Sequence, residues 1–348
     1  MGGLIQYSAV ATKIRAMESQ LLSDEDFSRL ASMDSVTQAV EYLNRIPAYK
    51  AILEDVDIAN IHRGDIERLM VGTLYYDFVK LYRFSQKKQR EVMKLYFQKY
   101  EIVVLKQALR RVFNHGDRTG EGKSFWDILQ KYTRIHLDEV GNAETMQALM
   151  HALRDTDYCR LLTRLDNTEQ ITLFDYEMTL DLYYFTELWK RKNRFLKGKE
   201  QKQLTKTFGS RIDLLNMMWI YRSKKYYQLS ENSIYALIIP VTYRLREDEI
   251  RAMVASAGTR ELDEVIHRTY YGKRFLELNG QELEQFYHQF LRKLYLEEKR
   301  REPYSMAVVT AYLYEKEEEI DKLTTILEGV RYGMPPEETL SYAGQHLA

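Results

Sequence analysis

Leu283-Glu-Gln-Phe-Tyr-His-Gln-Phe-Leu-Arg-Lys-Leu-Tyr295 places its apolar residues at offsets 0, 3, 4, 7, 8, 11 and 12. That spacing draws one apolar stripe down one face of a helix. Ile66, Leu69, Met70, Leu74 and Leu81 draw a second stripe, Ile102, Leu105, Leu109 and Val112 a third, and Ile320, Leu323 and Leu327 a fourth. Nowhere does strict apolar–polar alternation run between hairpin turns, so strands should be few. Only 5 prolines interrupt 348 residues, which also favours helices. Apolar residues make up 45% of the chain and charged residues 29%, enough for a packed core and unlike a disordered chain. The expected fold is all-α.

The helical pieces recur in a fixed order. A segment closing on tyrosine runs from Ala39 to Tyr49, returns from Gln147 to Tyr158, and returns again from Glu261 to Tyr270. An aromatic-rich helix follows each time: Glu67 to Phe78, Glu177 to Leu188, and Glu282 to Tyr295. A third piece closes the unit as Glu101-Ile-Val-Val-Leu105, Arg211-Ile-Asp-Leu-Leu215 and Glu319-Ile-Asp-Lys-Leu323. In this register Val103 stands where the other copies have Asp213 and Asp321, and Arg211 replaces the leading acid. The third pieces are 110 and 108 residues apart and the tyrosines 109 and 112. Two markers thus give one period of roughly 110 residues, dividing the chain into helical repeats 1–118, 119–228 and 229–348. Three similar units offer the same interface repeatedly, and a rotation near a third of a turn closes them into a ring with a central hollow.

Several signals for bond chemistry fail on inspection. Gly116-Asp-Arg-Thr-Gly-Glu-Gly-Lys-Ser124 ends like a phosphate-binding loop, but that loop needs a glycine where Asp117 stands, and a strand before it. It reads as a connector between repeats. No two of the 7 histidines stand at i, i+4 around a glutamate, and none spaces with Cys159 as a metal ligand. The lone Cys159 is expected to be buried and inert, so neither a disulfide framework nor a cofactor is implied. Lys plus Arg equals Asp plus Glu at 51 each, so bulk charge supplies no attraction to nucleic acid or anionic lipid. The stretch Lys190-Arg-Lys-Asn-Arg194, continuing through Lys197, Lys199 and Lys202 beside Trp189 and Phe195, does interleave bases with aromatics. It keeps a nucleic-acid-binding reading open. The apolar stretch after Met1 is broken by Gln6, Lys13 and Arg15, and the longest apolar run, Ala236 to Val241, is too short to cross a bilayer.

The two ends of the chain resemble a known family. The opening Tyr7-Ser-Ala-Val-Ala-Thr-Lys-Ile-Arg-Ala-Met-Glu-Ser-Gln-Leu-Leu-Ser-Asp-Glu-Asp-Phe27 leads from a tyrosine and small residues through an arginine to a Leu-Leu pair and an acidic helix cap. The ending Glu319-Ile-Asp-Lys-Leu-Thr-Thr-Ile-Leu-Glu-Gly-Val-Arg-Tyr-Gly-Met-Pro-Pro-Glu-Glu338 closes with a glycine and a Pro-Pro stop. With the length and the three repeats, these resemble the C subunit of V/A-type rotary ATPases, the counterpart of the eukaryotic V-ATPase d subunit.

The resemblance implies a funnel of three helical domains in pseudo-threefold arrangement, a central-stalk part without a catalytic site. It implies partners as well: the proteolipid (c/K) ring, the D and F subunits of the rotor shaft, and transiently the membrane stator subunit. The place implied is the cytoplasmic face of the membrane, with indirect membrane contact and no nucleic acid. The shaft-facing lining should be polar and charged. Tyr49, Tyr158 and the adjacent Tyr270 and Tyr271 mark one patch per repeat and are candidates for the ring-facing contact or equally for the core within each unit. The residues alone stop at a three-repeat helical protein. A nucleic-acid binder using 190–202 and a nucleotide-dependent enzyme using Lys123 are the rivals.

Overall fold

The computed structural model describes residues 2–53, 63–114, 130–166, 171–275 and 283–345, and among these every regular element is an α-helix. The boundary at 118/119 and the segment Gly116–Ser124 lie outside the described residues. α1 spans Gly2–Glu18. Three short helices follow: α2 (Asp24–Ala31), α3 (Val36–Asn44) and α4 (Pro47–Leu53). Two long ones come next, α5 (Arg63–Phe84) and α6 (Lys87–Asn114). The order then repeats. α7 (Leu137–Asn142), α8 (Met146–Ala152) and α9 (Asp157–Asp166) are short; α10 (Leu173–Phe195) and α11 (Gly198–Lys225) are long. After α12 (Glu231–Leu237) come the short α13 (Glu247–Ala255), α14 (Thr259–Arg268) and α15 (Gly272–Phe275) and the long α16 (Leu283–Arg301) and α17 (Met306–Arg331). α18 (Pro336–Gln345) ends the described chain.

Local chemistry sets the ends of these helices. Ser23 caps α2 in a capping box with Asp26, as its position in the sequence indicates. Ser35, Thr145, Thr172, Ser230 and Ser305 each cap a helix through the side-chain oxygen. Each such cap is worth about 1 kcal/mol. Gly333 takes φ +65 just after α17, the left-handed turn that ends the helix ahead of Pro335 and Pro336.

The long helices pack across repeats in a closed circuit. α10 lies along α6, α16 along α11, and α17 along α5. Each pairing joins the second long helix of one run to the first of the next, and the third pairing returns to the start. The short helices obey the same rule: α7 and α8 pack on α6, α13 and α14 on α11, and α1, α2 and α3 on α17. A repeat therefore covers its predecessor's long helix, and each unit is completed by the next.

Candidate functional site

Each junction of this circuit holds a buried tyrosine bonded to a carboxylate in the same place, and the α17–α5 junction adds a second such pair, Tyr312 to Asp77 Oδ2 at 2.5 Å. Tyr158 donates to Glu101 Oε2 at 2.8 Å, Tyr271 to Asp213 Oδ2 at 2.8 Å, and Tyr49 to Glu319 Oε1 at 2.6 Å. The acids sit on α6, α11 and α17; Tyr49 and Tyr158 come from short helices of the following run, and Tyr271 from the turn between α14 and α15. Burial, then the facing carboxylate, pushes all three phenols well above the usual range. Each acid also gathers the chain that leads into the next short helix. Asp213 accepts from the backbone N–H groups of Tyr243, Arg244 and Leu245 at 3.0, 2.6 and 3.0 Å. Glu319 accepts from Leu22 N–H at 2.6 Å and pairs with the buried Lys316. Burial raises the Glu101 carboxyl, against hydrogen bonds from Thr133 and Tyr158 that lower it.

These contacts reset the register of the repeat. The partner of Tyr271 is Asp213, so Asp213 and not Arg211 corresponds to Glu101 and Glu319. The tyrosine equivalent to Tyr49 and Tyr158 is Tyr271, not Tyr270. Read this way, the residue two positions before each acid is Lys99, Arg211 and Glu317. These three side chains meet. Lys99 Nζ is 2.8 Å and Arg211 Nη2 3.3 Å from Glu317 Oε2, and Tyr100 donates to Oε1 at 3.3 Å. Equivalent positions of three repeats touching one another mark where α6, α11 and α17 converge. Burial alone would raise the Glu317 carboxyl; Lys99 and Arg211 outweigh it and hold the group below its ordinary value. Three like charges here would repel, and the sign change at Glu317 lets one carboxylate hold both cations.

Charged pairs also join the long helices pairwise. Lys106 of α6 meets Asp181 of α10 at 2.6 Å and Arg110 meets Glu177 at 2.6 Å. Arg222 of α11 meets Glu284 of α16 at 2.5 Å. Asp321, one turn beyond Glu317 on α17, is exposed.

The sequence-predicted tyrosines divide. Tyr49, Tyr158 and Tyr271 are buried at the junctions. Tyr270 is half-buried, its ring under the guanidinium groups of Arg274 and Arg244 at 4.0 and 5.3 Å. Cys159 is only partly buried, at the edge of the core, rather than sealed inside it. The basic stretch 190–202 does not form one continuous face. Lys192 is 3% exposed and sits 3.6 Å from the Trp189 ring centre, Arg191 is tied to Glu187 at 2.7 Å, and the chain turns at Lys197 between α10 and α11. Lys123 lies outside the described residues. Among the described residues no helix is long and apolar enough to cross a membrane, and no group of three or more His, Cys, Asp or Glu is placed to hold a metal ion.

The family model described as ATP synthase (C/AC39) subunit matches residues 10–342. The chain is 27% identical over 350 residues to the A-type ATP synthase C subunit of Pyrococcus abyssi, covering 97% of this chain and 90% of that one. It is 24% identical to the protein of the same name from Methanosarcina mazei, over 96% and 92% of the two chains, and 23% identical to that of Methanocaldococcus jannaschii, over 97% and 86%. Fold, repeat order and these likenesses run over the same residues from end to end, and the chain belongs to the ATP synthase (C/AC39) subunit family.

Proposed function

We propose that this member of the ATP synthase is a non-catalytic coupling piece of the central stalk, seated between the D and F shaft subunits and the membrane proteolipid ring on the cytoplasmic face. The observation that carries this reading is the closed circuit of long helices with the Lys99–Glu317–Arg211 cluster at its centre. A piece that transmits torque must resist shear between its parts. Here every repeat is braced by both neighbours, and no repeat is free at an end. The hollow is then a socket with a floor, since side chains from all three repeats meet at the central cluster. Asp321 and the pairs Lys106–Asp181 and Arg110–Glu177 support a charged wall for reversible docking of the shaft. The repeats 1–118, 119–228 and 229–348 are its three structural units in this proposal, each finished by the next. The short helices bearing Tyr49 and Tyr158, and the α14–α15 turn bearing Tyr270 and Tyr271, face the ring, with the buried tyrosines fixing these segments while the half-buried Tyr270 reaches the surface.

Purification of the complex from detergent-solubilised membranes tests this. The chain should co-purify with ring and shaft, and its deletion should leave the shaft unattached to the ring while the isolated chain ignores protein-free liposomes at physiological salt. A shaft that remains bound to the ring without this chain would overturn the proposal.

A further inference from the structure

The corner between a short helix and the first long helix of the same run is closed in one repeat and open in another. Tyr271 packs edge-on against Phe290 at 5.4 Å, and Tyr158 packs in the same way against Tyr183 at 5.6 Å. Tyr183 and Phe290 therefore correspond, and one turn earlier Thr179 corresponds to Phe286. Phe286 is 1% exposed and packs against Phe275 at 5.3 Å, so its ring plugs the third repeat's corner from within. Thr179 is too small to do so. In its place a groove of about 490 Å³ runs between α9 and α10, floored by Leu161, Leu182 and Tyr183.

The charges round this groove are unequal. Arg160 and Lys190 are 72% and 66% exposed at the side chain, and Arg164 is exposed as well. The two carboxylates of the groove are already engaged. Asp157 accepts from Arg160 at 3.0 Å and Tyr183 at 3.3 Å, and Glu187 holds Arg191 at 2.7 Å. The lining thus carries three cations against two anions, a net charge of +1 above the apolar residues: Arg160 and Lys190 lie 3.0 and 3.7 Å from Asp157 and Glu187, and Arg164 supplies the excess. The lining residues of α10, from Thr179 to Lys190, span about 16 Å at 1.5 Å per residue, close to three helical turns.

We propose that this groove docks an acidic amphipathic helix of a partner protein, one apolar side chain standing where Phe286 stands in the third repeat and carboxylates facing Arg160, Arg164 and Lys190. A helix laid in a groove anchors through side chains on one face, three and four residues apart, which suits a floor of this length. Flanking carboxylates add attraction and reject basic helices. The groove borders the second junction, since Tyr183 packs on Tyr158, but it lies apart from the central cluster, and its existence does not depend on which end of the molecule meets the shaft.

Fluorescence anisotropy on the full chain tests it. The ligand is a labelled synthetic helix about three turns long, with leucines on one face and glutamates beside them. A second helix carries lysines in place of the glutamates. The acidic helix should bind with a Kd below about 100 μM, and the lysine helix at least tenfold more weakly. Thr179→Phe fills the groove as Phe286 fills its counterpart; it should keep the fold, by circular dichroism and thermal unfolding, and weaken acidic-helix binding at least tenfold. Lys190→Glu should weaken it comparably with the groove left open. Equal binding of both helices, no binding of the acidic one, or unchanged binding to a folded Thr179→Phe chain would each overturn the proposal.

Discussion

Glu317 holds two cations with one carboxylate, Lys99 and Arg211 in the central cluster. Removing one partner of a buried ion pair leaves an uncompensated charge and costs about 3–5 kcal/mol. Glu317→Gln should therefore lower stability by about 3 kcal/mol at neutral pH, near the bottom of that range because Lys99 keeps some contact with water. Replacing all three members by apolar residues of similar size should recover most of that loss. The pH dependence has a definite sign. The folded carboxyl titrates below its ordinary value of 4.5, so its stabilisation is complete above that pH and is lost as pH falls through the lower, folded-state value. The gap between wild type and Glu317→Gln should shrink as pH drops below about 4.5, measured by urea unfolding; a gap constant from pH 7 to 3 would refute the assignment. The three junction tyrosines give a ranking instead. Tyr→Phe leaves Asp213 with three backbone donors and Glu319 with Lys316 and Leu22, but leaves Glu101 relying on Thr133. Tyr158→Phe should then cost most, about 2 kcal/mol, and Tyr271→Phe and Tyr49→Phe about 1 kcal/mol.

At the scale of elements, α11 has a task that its period does not announce. Besides presenting an apolar face, it holds an irregular strip of chain from Ile238 to Arg246. Asn216 donates to the Ile239 carbonyl at 3.0 Å and accepts its N–H at 2.9 Å, and Asp213 takes the three N–H groups further on. Gly209 lets the strip approach: a Cβ there would stand 2.4 Å from the Tyr243 ring. Asn216→Leu should leave the buried Ile239 N–H unpaired, its carbonyl keeping the Val241 N–H at 2.7 Å, and cost about 2 kcal/mol by chemical denaturation. Gly209→Ala, whose added Cβ would also stand 2.7 Å from Tyr243 Cβ, has to push the strip itself away and should cost about 2–3 kcal/mol. A loss under about 0.5 kcal/mol for Asn216→Leu would show that water replaces the amide.

The sequence made the helices legible because stripes such as Leu283 to Tyr295 depend only on local spacing. It made the recurring tyrosine visible too, at spacings of 109 and 113 residues when Tyr271 takes the place of Tyr270. The register slipped by two residues at Arg211, because acid and tyrosine are tied by contacts 57 and 58 residues apart that no local pattern encodes. With the register slipped, Lys99, Arg211 and Glu317 no longer lined up, and the central cluster stayed hidden. The swap of partners between repeats was equally invisible, since a helix stripe says that it is covered and not by which helix.

For the whole molecule, closure and linearity make opposite predictions. In a linear array each repeat touches only its chain neighbours, so deleting a terminal repeat removes one interface and spares the rest. In the circuit seen here, removing residues 229–348 breaks two junctions at once. The face of α5 that packs on α17 is bared, and so is the face of α11 that packs on α16. Tyr49 loses Glu319, Asp213 loses Tyr271, and Lys99 and Arg211 face each other without Glu317. α1, α2 and α3 lose the helix on which they pack. Fragment 1–228 should keep much of its helix content, because the stripes and caps are local, but lose fixed tertiary packing. Far-UV circular dichroism near the full chain's per residue, a collapsed near-UV signal and strong dye binding would be the signature. Mixing with fragment 229–348 should restore a single cooperative transition. A linear array predicts a cooperative transition in 1–228 alone, only a few degrees below the full chain's, and that result would exclude the closed circuit as the source of stiffness.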